Sequence, residues 1–240
     1  MPPVDNSTTP EWETITYRFT PVSSDVVVVP LRFDRRTYRL QVSAADPPPD
    51  WTRLDCHRCS NCTLDAAVVA SCPTALGLAA FLPSFTATHS YDKAVVQVET
   101  PNRTMTADTT MQAGLASLMG LVSATSGCPH TRFLRPMARL HLPFADERET
   151  LIRSFSSWLL TAYMAQRLSG RHLPPSLDGL KLHYEKISTV NAHLAQRLRT
   201  VATRDATLNA IIILDVFAQI APANIDGDME DILDCLVIEE

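Results

Sequence analysis

Cys56, Cys59, Cys62 and Cys72 fall within seventeen residues, and a fifth cysteine, Cys128, stands in Ser126-Gly127-Cys128-Pro129. No other feature of the chain restricts its fold as much. A tight turn sets its first and fourth residues side by side, so thiols at two-residue spacing can point into one small volume. The usual occupant of such a volume is a metal ion or an iron–sulfur cluster.

The compartment decides how these cysteines are read. The start of the chain, Met1-Pro2-Pro3-Val4-Asp5-Asn6-Ser7, has neither a basic opening nor an apolar segment, so a secretory signal is not expected. The most apolar stretch, Ala210 to Ala223, is short for a bilayer span and carries Asp215. A soluble, cytoplasmic protein is expected. In a reducing cytosol, clustered cysteines serve more often as metal ligands or redox groups than as disulfides. The competing reading is a secreted disulfide protein. It would use the even count of six cysteines and the acceptor Asn102-Arg103-Thr104, but it needs the missing signal.

The formal charge is −5, the pI is about 5.8, and no long basic block is present. Nucleic acid is therefore not expected as a main partner, because a phosphate backbone calls for such a block. No membrane association is expected either. With 240 residues and a 45% apolar fraction, the chain can bury a sizeable core. Seventeen prolines against seven glycines point to many fixed turns and few flexible linkers.

The pattern along the chain predicts an α+β protein: a small N-terminal antiparallel sheet, a cysteine-rich middle and a C-terminal helical bundle. Strands are expected over 14–20, 26–33 and 38–42, with a hairpin turn at 34–37 and Pro30 at an edge position. Pro47-Pro48-Pro49 belongs to a stiff connector closing an N-terminal unit of residues 1–50. Residues 51–143 form the expected metal-binding region. Within it lie a helix over 74–81 entered through Cys72-Pro73, a strand over 94–100 turning at 101–103, and a small-residue helix over 110–125. A further helix is expected from Gly127 to about Leu140. In the bundle, residues 144–222, Asp146 and Glu149 form a capping box for a long helix. Its expected inner face is Leu151, Ile152, Phe155, Trp158, Leu159, Ala162 and Tyr163, and Gly170 ends it. The next helix, over about 177–201, puts Leu180, Tyr184, Ile187, Leu194 and Leu198 on one face. Asp205 caps a third helix, through Ile220. The acidic tail, 223–240, carries a short apolar stripe that suits a protein partner.

Cys59, Cys62, Cys72 and Cys128 form the expected ligand set, with Cys56 as an alternative ligand and His57 or His130 able to replace a thiolate. Cys72 and Cys128 each precede a proline and open a predicted helix, whose positive end favours the thiolate form. Cys235 is a bystander. Zinc and a [4Fe-4S] cluster stand as equal alternatives. The Cys-Pro pairs suit a cluster, yet nine residues rather than three separate Cys62 from Cys72. Zinc ribbons usually show two Cys-x-x-Cys knuckles, and only one clear pair is present. Reduced thiols without a ligand are the plain alternative.

Arg132, Arg135 and Arg139 fall on one face of the helix predicted after Cys128, flanked by His130 and His141. They could hold an anion beside the thiolates, or form a solvated face paired with Asp146 and Glu147. Asn191 and Asp215 sit beside apolar stripes and suit core hydrogen bonding. A calcium loop, a glycine-rich phosphate loop, a nucleophile elbow and the zinc-deaminase pattern are all absent.

At Asn61-Cys62-Thr63-Leu64, Ser71-Cys72-Pro73, Ser126-Gly127-Cys128-Pro129 and His141-Leu142-Pro143-Phe144 the chain resembles a bacterial protein family whose domain has no known function. Arg197-Leu198-Arg199, Asp205-Ala206, Asn209-Ala210 and Leu214-Asp215-Val216-Phe217 are similar too. The resemblance implies a bacterial cytosolic protein and no particular activity. Three functional readings follow. The first is a cytoplasmic metal-binding protein with a structural, redox or sensing centre. The second is an enzyme using that centre with the Arg/His face on an anionic small molecule. The third is an interaction module with structural zinc.

Overall fold

Alternating apolar and polar residues produce a sheet with one dry face. In β1 (Trp12–Pro21), Ile15, Tyr17 and Phe19 are buried while Thr14, Arg18 and Thr20 are exposed. In β2 (Val27–Asp34), Val29, Leu31 and Phe33 repeat the pattern. So do Ala94, Val96 and Val98 in β4 (Lys93–Thr100). With β3 (Leu40–Gln41) and β5 (Arg103–Thr110) these form one antiparallel sheet in the order β3-β2-β1-β4-β5. Tyr17 stands opposite Val29 on one side and Val98 on the other, so the inward rows align across the three central strands. Each fully buried aromatic of this face contributes about 1.5–3 kcal/mol of transfer free energy. This computed structural model describes residues 11–22, 24–42, 47–86, 88–170 and 176–227, together with Met229, Ile232 and Leu236.

The α+β class stands, but the sheet is larger than an N-terminal unit of residues 1–50. It takes β4 and β5 from the segment expected to be the cysteine-rich region. β5 was hidden because Arg103-Thr-Met-Thr-Ala-Asp-Thr-Thr110 lacks an apolar alternation, as a half-exposed edge strand is free to do. Pro30 pairs with Thr16 of β1 on one side, while β3 reaches only Arg32 and Phe33 on the other. Its missing N–H therefore falls at a locally open edge. The hairpin turn forms where expected: the Asp34 carboxylate accepts from the Thr37 backbone N–H at 2.6 Å and from its hydroxyl at 2.7 Å.

Helix α1 (Pro73–Ala79) starts directly after Cys72. Helix α2 (Met111–Thr125) lies on the dry face of the sheet, with the Thr110 hydroxyl accepting from the Ala113 N–H. Gly114 permits the close approach. A Cβ there would stand 2.8 Å from Phe19 Cε1 and 2.9 Å from Val96 Cγ2.

The helix expected to run unbroken from Gly127 to Leu140 does not form. The chain makes turns after Cys128, a single 3-10 turn over Arg132–Leu134, and the five-residue α3 (Arg135–Arg139). Pro136 explains this, since in the interior of a continuous helix it would remove a needed backbone donor, whereas in the first turn of α3 it removes none.

Helix α4 (Glu147–Ser169) has the predicted capping box: Asp146 accepts from Glu149 N–H at 2.7 Å, and Glu149 accepts from Asp146 N–H at 2.9 Å. Gly170 ends it at φ 70°. The expected inner face holds only at the start. Leu151 and Phe155 are buried, whereas Tyr163, with Leu160, Met164 and Leu168, faces outward. Among the described residues, cover reaches only the first half of this helix.

Helix α5 (Asp178–Arg199) buries all five residues of its predicted stripe. Helix α6 (Ala206–Asp226) continues through Pro222, so the expected boundary at 222 lies inside a helix. Over its full length α6 is long and apolar enough to cross a membrane, more than the Ala210–Ala223 stretch suggested. It nonetheless packs along α5 and α2 and buries Ala210, Ala218, Ala221 and Asn224. Asn191 of α5 donates to Asp215 of α6 at 3.4 Å, the core bond expected for these residues.

Two apolar clusters result. One joins the sheet, α1 and α2 to Leu194, Leu198, Ala206, Ala210 and Ile211. The other joins α4, α5 and the later part of α6 to Ile232. Both α5 and α6 serve each cluster. Most of the tail, including Cys235, lies outside the described residues.

Candidate functional site

The chain between Thr52 and Cys72 leaves the body of the protein and returns to the same point. Cys72 N–H donates to Thr52 C=O at 2.7 Å, Leu54 N–H to Ala70 C=O at 2.9 Å, and Arg53 bridges Ser71. Inside this closed loop, Cys62 N–H donates to Cys59 C=O at 3.0 Å. That is the tight turn which the Cys59-x-x-Cys62 spacing predicted. Arg58 braces it by donating to the carbonyls of Cys62 at 3.3 Å and Leu64 at 2.6 Å. Asn61 ties the loop to α5, its amide donating to Lys186 C=O at 3.0 Å.

Arg197 of α5 holds the base of the loop. Its guanidinium donates to the carbonyls of Trp51 (2.9 Å), Arg53 (2.6 Å) and Leu54 (3.1 Å), and the residue is only 1% exposed. No carboxylate among the described residues lies within ion-pair distance of it. A fully buried cation with only neutral acceptors is costly, because carbonyl dipoles replace its hydration only in part.

Beside Arg197 lies a cavity of about 20 Å³, whose wall includes Cys59, Cys62, Cys72, Cys128 and His130. The four cysteines expected as ligands thus meet at one place, although Cys128 is separated in sequence from the other three. Burial pushes the Cys59 thiol up to about 11, and the neighbouring Cys72, Cys128 and Cys62 add to the rise, while Arg197 pulls it down. Burial also raises Cys128, opposed by hydrogen bonds to its sulfur from the backbone of His130 and Thr131. His130 Nε2 is 2.6 Å from the Asn61 carbonyl. Cys56 does not line the cavity. All five described cysteines are free thiols.

Sharing a wall is a weaker condition than coordination. Among the described residues, no three His, Cys, Asp or Glu side chains stand in an arrangement ready to hold a metal ion. The donor types and their convergence fit a metal, whereas the present side-chain geometry is not that of a coordination sphere.

The Arg/His face is dispersed. Arg139 donates to the carbonyls of Arg35 and Arg36, each at 3.0 Å, and stacks over Tyr38 with its guanidinium carbon 4.9 Å from the ring centre. Arg135 reaches Thr37 C=O at 3.5 Å. These two therefore clamp the β2–β3 turn. Arg132 is exposed. No described carboxylate lies within ion-pair distance of any of the three, so the alternative pairing with Asp146 and Glu147 is not seen. His141 lies away from the thiols, with Nε2 2.5 Å from Tyr17 Oη, which is itself 2.8 Å from Ser117 Oγ. Burial lowers the His141 pKa to about 3, helped by the nearby positive Arg153, so the ring is neutral. Of this group only His130 reaches the cysteine cavity.

Sequence reasoning overlooked Arg197 as a site residue. The available signal was its place three residues after Leu194 and next to Leu198, a charge set into an apolar stripe.

No curated protein and no solved structure matches the chain. A family model described as Domain of unknown function (DUF6901) matches residues 15–236, from the first sheet strand through α6 and into the tail, and the chain belongs to that family.

Proposed function

We propose that this chain is a cytoplasmic metal-binding protein in which one zinc ion, held by Cys59, Cys62, Cys72 and Cys128, locks the loop of residues 53–71 onto the helical body. The observation that carries this reading is the meeting of four thiols and an uncompensated buried guanidinium at one small cavity. A divalent ion bound by four thiolates has a net charge of about −2. Such a centre supplies the counter-charge that Arg197 lacks. The cavity volume favours zinc over a [4Fe-4S] cluster, since about 20 Å³ is room for a single water-sized sphere. Ligation requires the cysteine side chains to turn inward and lose their protons, so the ion's binding free energy becomes folding free energy of the loop.

In this reading the ion is structural. It ties together the Cys59–Cys62 turn, the start of α1 and the segment after α2, three parts with little secondary structure of their own between them. Zinc's own contribution is a closed tetrahedral bond set. The protein contributes the turn, the His130 and Thr131 backbone donors at Cys128, and the Arg197 charge.

The test is metal analysis of protein purified under reducing conditions, followed by cobalt substitution. About one zinc per chain, and the intense visible bands of a tetrahedral cobalt–thiolate centre, are expected. Cys62→Ser and Cys128→Ser should each lower both occupancy and thermal stability. Metal-free protein that unfolds at the same temperature with and without added zinc would overturn the proposal.

A further inference from the structure

A second and much larger cavity, of about 490 Å³, lies between α2, α6 and the start of α4, and none of the four thiols lines it. Its existence follows from the small residues of α2. Gly114 lets one side of that helix reach the sheet, while Ala113 and Ala116 on other faces leave space that α6 does not fill. Phe144, Leu214 and Phe217 supply apolar wall. The volume falls in the range of about 300–1,000 Å³ typical of small-molecule sites, which are mostly apolar with a few convergent polar groups.

The polar groups here are unequal. Arg153 of α4 is partly buried, and its guanidinium is held in place by the carbonyls of Leu140 (3.1 Å), Met137 (3.4 Å) and Leu142 (3.5 Å). Two of these bonds come from Nη2 and one from Nη1, which leaves the Nε–H and one Nη1–H, on different edges of the guanidinium, without an acceptor among the described residues. No described carboxylate lies within ion-pair distance of it. Glu149, one turn away, is committed to the capping box. Of the two acids in the lining, Asp146 is committed to the same box, and Glu147 sits exposed at the first position of α4. His141 also lines the cavity but is neutral and paired to Tyr17. The lining thus carries one cation, Arg153, beside an apolar space, with the two carboxylates Asp146 and Glu147 at exposed positions where solvent screens them.

We infer that this cavity binds an amphipathic monoanion, an aliphatic body in the apolar space with its single carboxylate against the Arg153 guanidinium and on one of its free N–H groups. A second negative charge on the ligand would find no partner. A neutral body of the same length would keep the apolar contacts and lose the charge-assisted bond. The inference is independent of the metal reading, because none of the four cysteines lines this cavity.

The test uses the full chain, stripped of bound lipid, and isothermal titration calorimetry with dodecanoate and with dodecanol below their aggregation limits. Dodecanoate is expected to bind once per chain, and Arg153→Gln to weaken it by about tenfold, the effect of losing a charge-assisted hydrogen bond. Dodecanol is expected to bind more weakly to the wild type and equally well to Arg153→Gln, which also shows that the variant is folded. Should Arg153→Gln fail to fold, Arg153→Lys, which keeps the charge without the fork, is expected to bind with intermediate strength. Ala113→Phe, which fills the cavity from α2, should abolish binding of both ligands. Absence of dodecanoate binding to the wild type would overturn the proposal. So would binding that survives Ala113→Phe, or dodecanol binding as tight as dodecanoate.

Discussion

Replacing Arg197 with Met tests the bracing of the cysteine loop and the charge argument together. Methionine keeps the aliphatic stem and removes the guanidinium. Three bonds to carbonyls are lost, those to Trp51, Arg53 and Leu54. The Arg53 carbonyl keeps a partner, since it also accepts from Cys56 N–H at 3.2 Å. The carbonyls of Trp51 and Leu54 lose this donor in a site closed to solvent, at about 1–3 kcal/mol each. Relief from burying a cation opposes this loss and is itself worth several kcal/mol when no partner is present. A net loss of about 3 kcal/mol is expected for the zinc-loaded protein, where the guanidinium has its counter-charge. A smaller loss is expected for the metal-free protein, where the burial penalty goes unopposed. The assay is urea unfolding followed by circular dichroism, with saturating zinc and with excess chelator. For a chain of this size, the zinc-loaded variant should also melt about 6–12 °C lower. The metal-dependent difference should reach about 1 kcal/mol or more, as for residues that couple directly. Equal costs in both conditions would refute the counter-charge argument. A variant as stable as the wild type in both would refute the bracing role as well.

Three further outcomes are expected. Gly114→Leu should destabilise by about 3 kcal/mol in a urea titration, because the space is already closed by Phe19 and Val96. That exceeds the helix-propensity gain of about 1 kcal/mol from removing a glycine. Asp146→Ala should cost about 1 kcal/mol through loss of the capping box, read as a lower urea midpoint without a change of slope. His141 is neutral when folded, with a pKa lowered to about 3, and protonates near pH 6.5 when unfolded. The unfolded chain therefore binds the extra proton, and stability falls as pH drops below about 6.5. The loss from this group should be about 2 kcal/mol by pH 5, and His141→Gln should remove that part of the pH dependence. An unchanged pH profile in the variant would show that His141 is not the group responsible.

Several elements were legible because their cause is local. The Asp146–Glu149 box, the stop at Gly170, the turn at Asp34–Thr37 and the tight Cys59–Cys62 turn depend on residues within four positions of one another. The stripe of α5 was legible for the same reason, since Leu180, Tyr184, Ile187, Leu194 and Leu198 share a face by helical period alone. The outward half of α4 was not. Tyr163 and Leu159 follow the same period as Leu151 and Phe155, and nothing in the period states how far a covering element extends.

The α+β class, the starts of α1, α2, α4, α5 and α6, and the identity of the thiols that could gather were already fixed in the chain's residues, because these rest on dihedral preferences, period and side-chain chemistry. The tertiary structure alone decided that β4 and β5 complete the sheet begun by β1, that Cys128 reaches the loop of Cys59 and Cys62, and that Arg135 and Arg139 clamp a turn instead of facing those thiols. It also decided that Arg197, more than a hundred residues from the loop, lies against it. Contacts of this kind depend on how elements pack in three dimensions. No short-range pattern records which distant residue will occupy the space that a small-residue helix such as α2 leaves open.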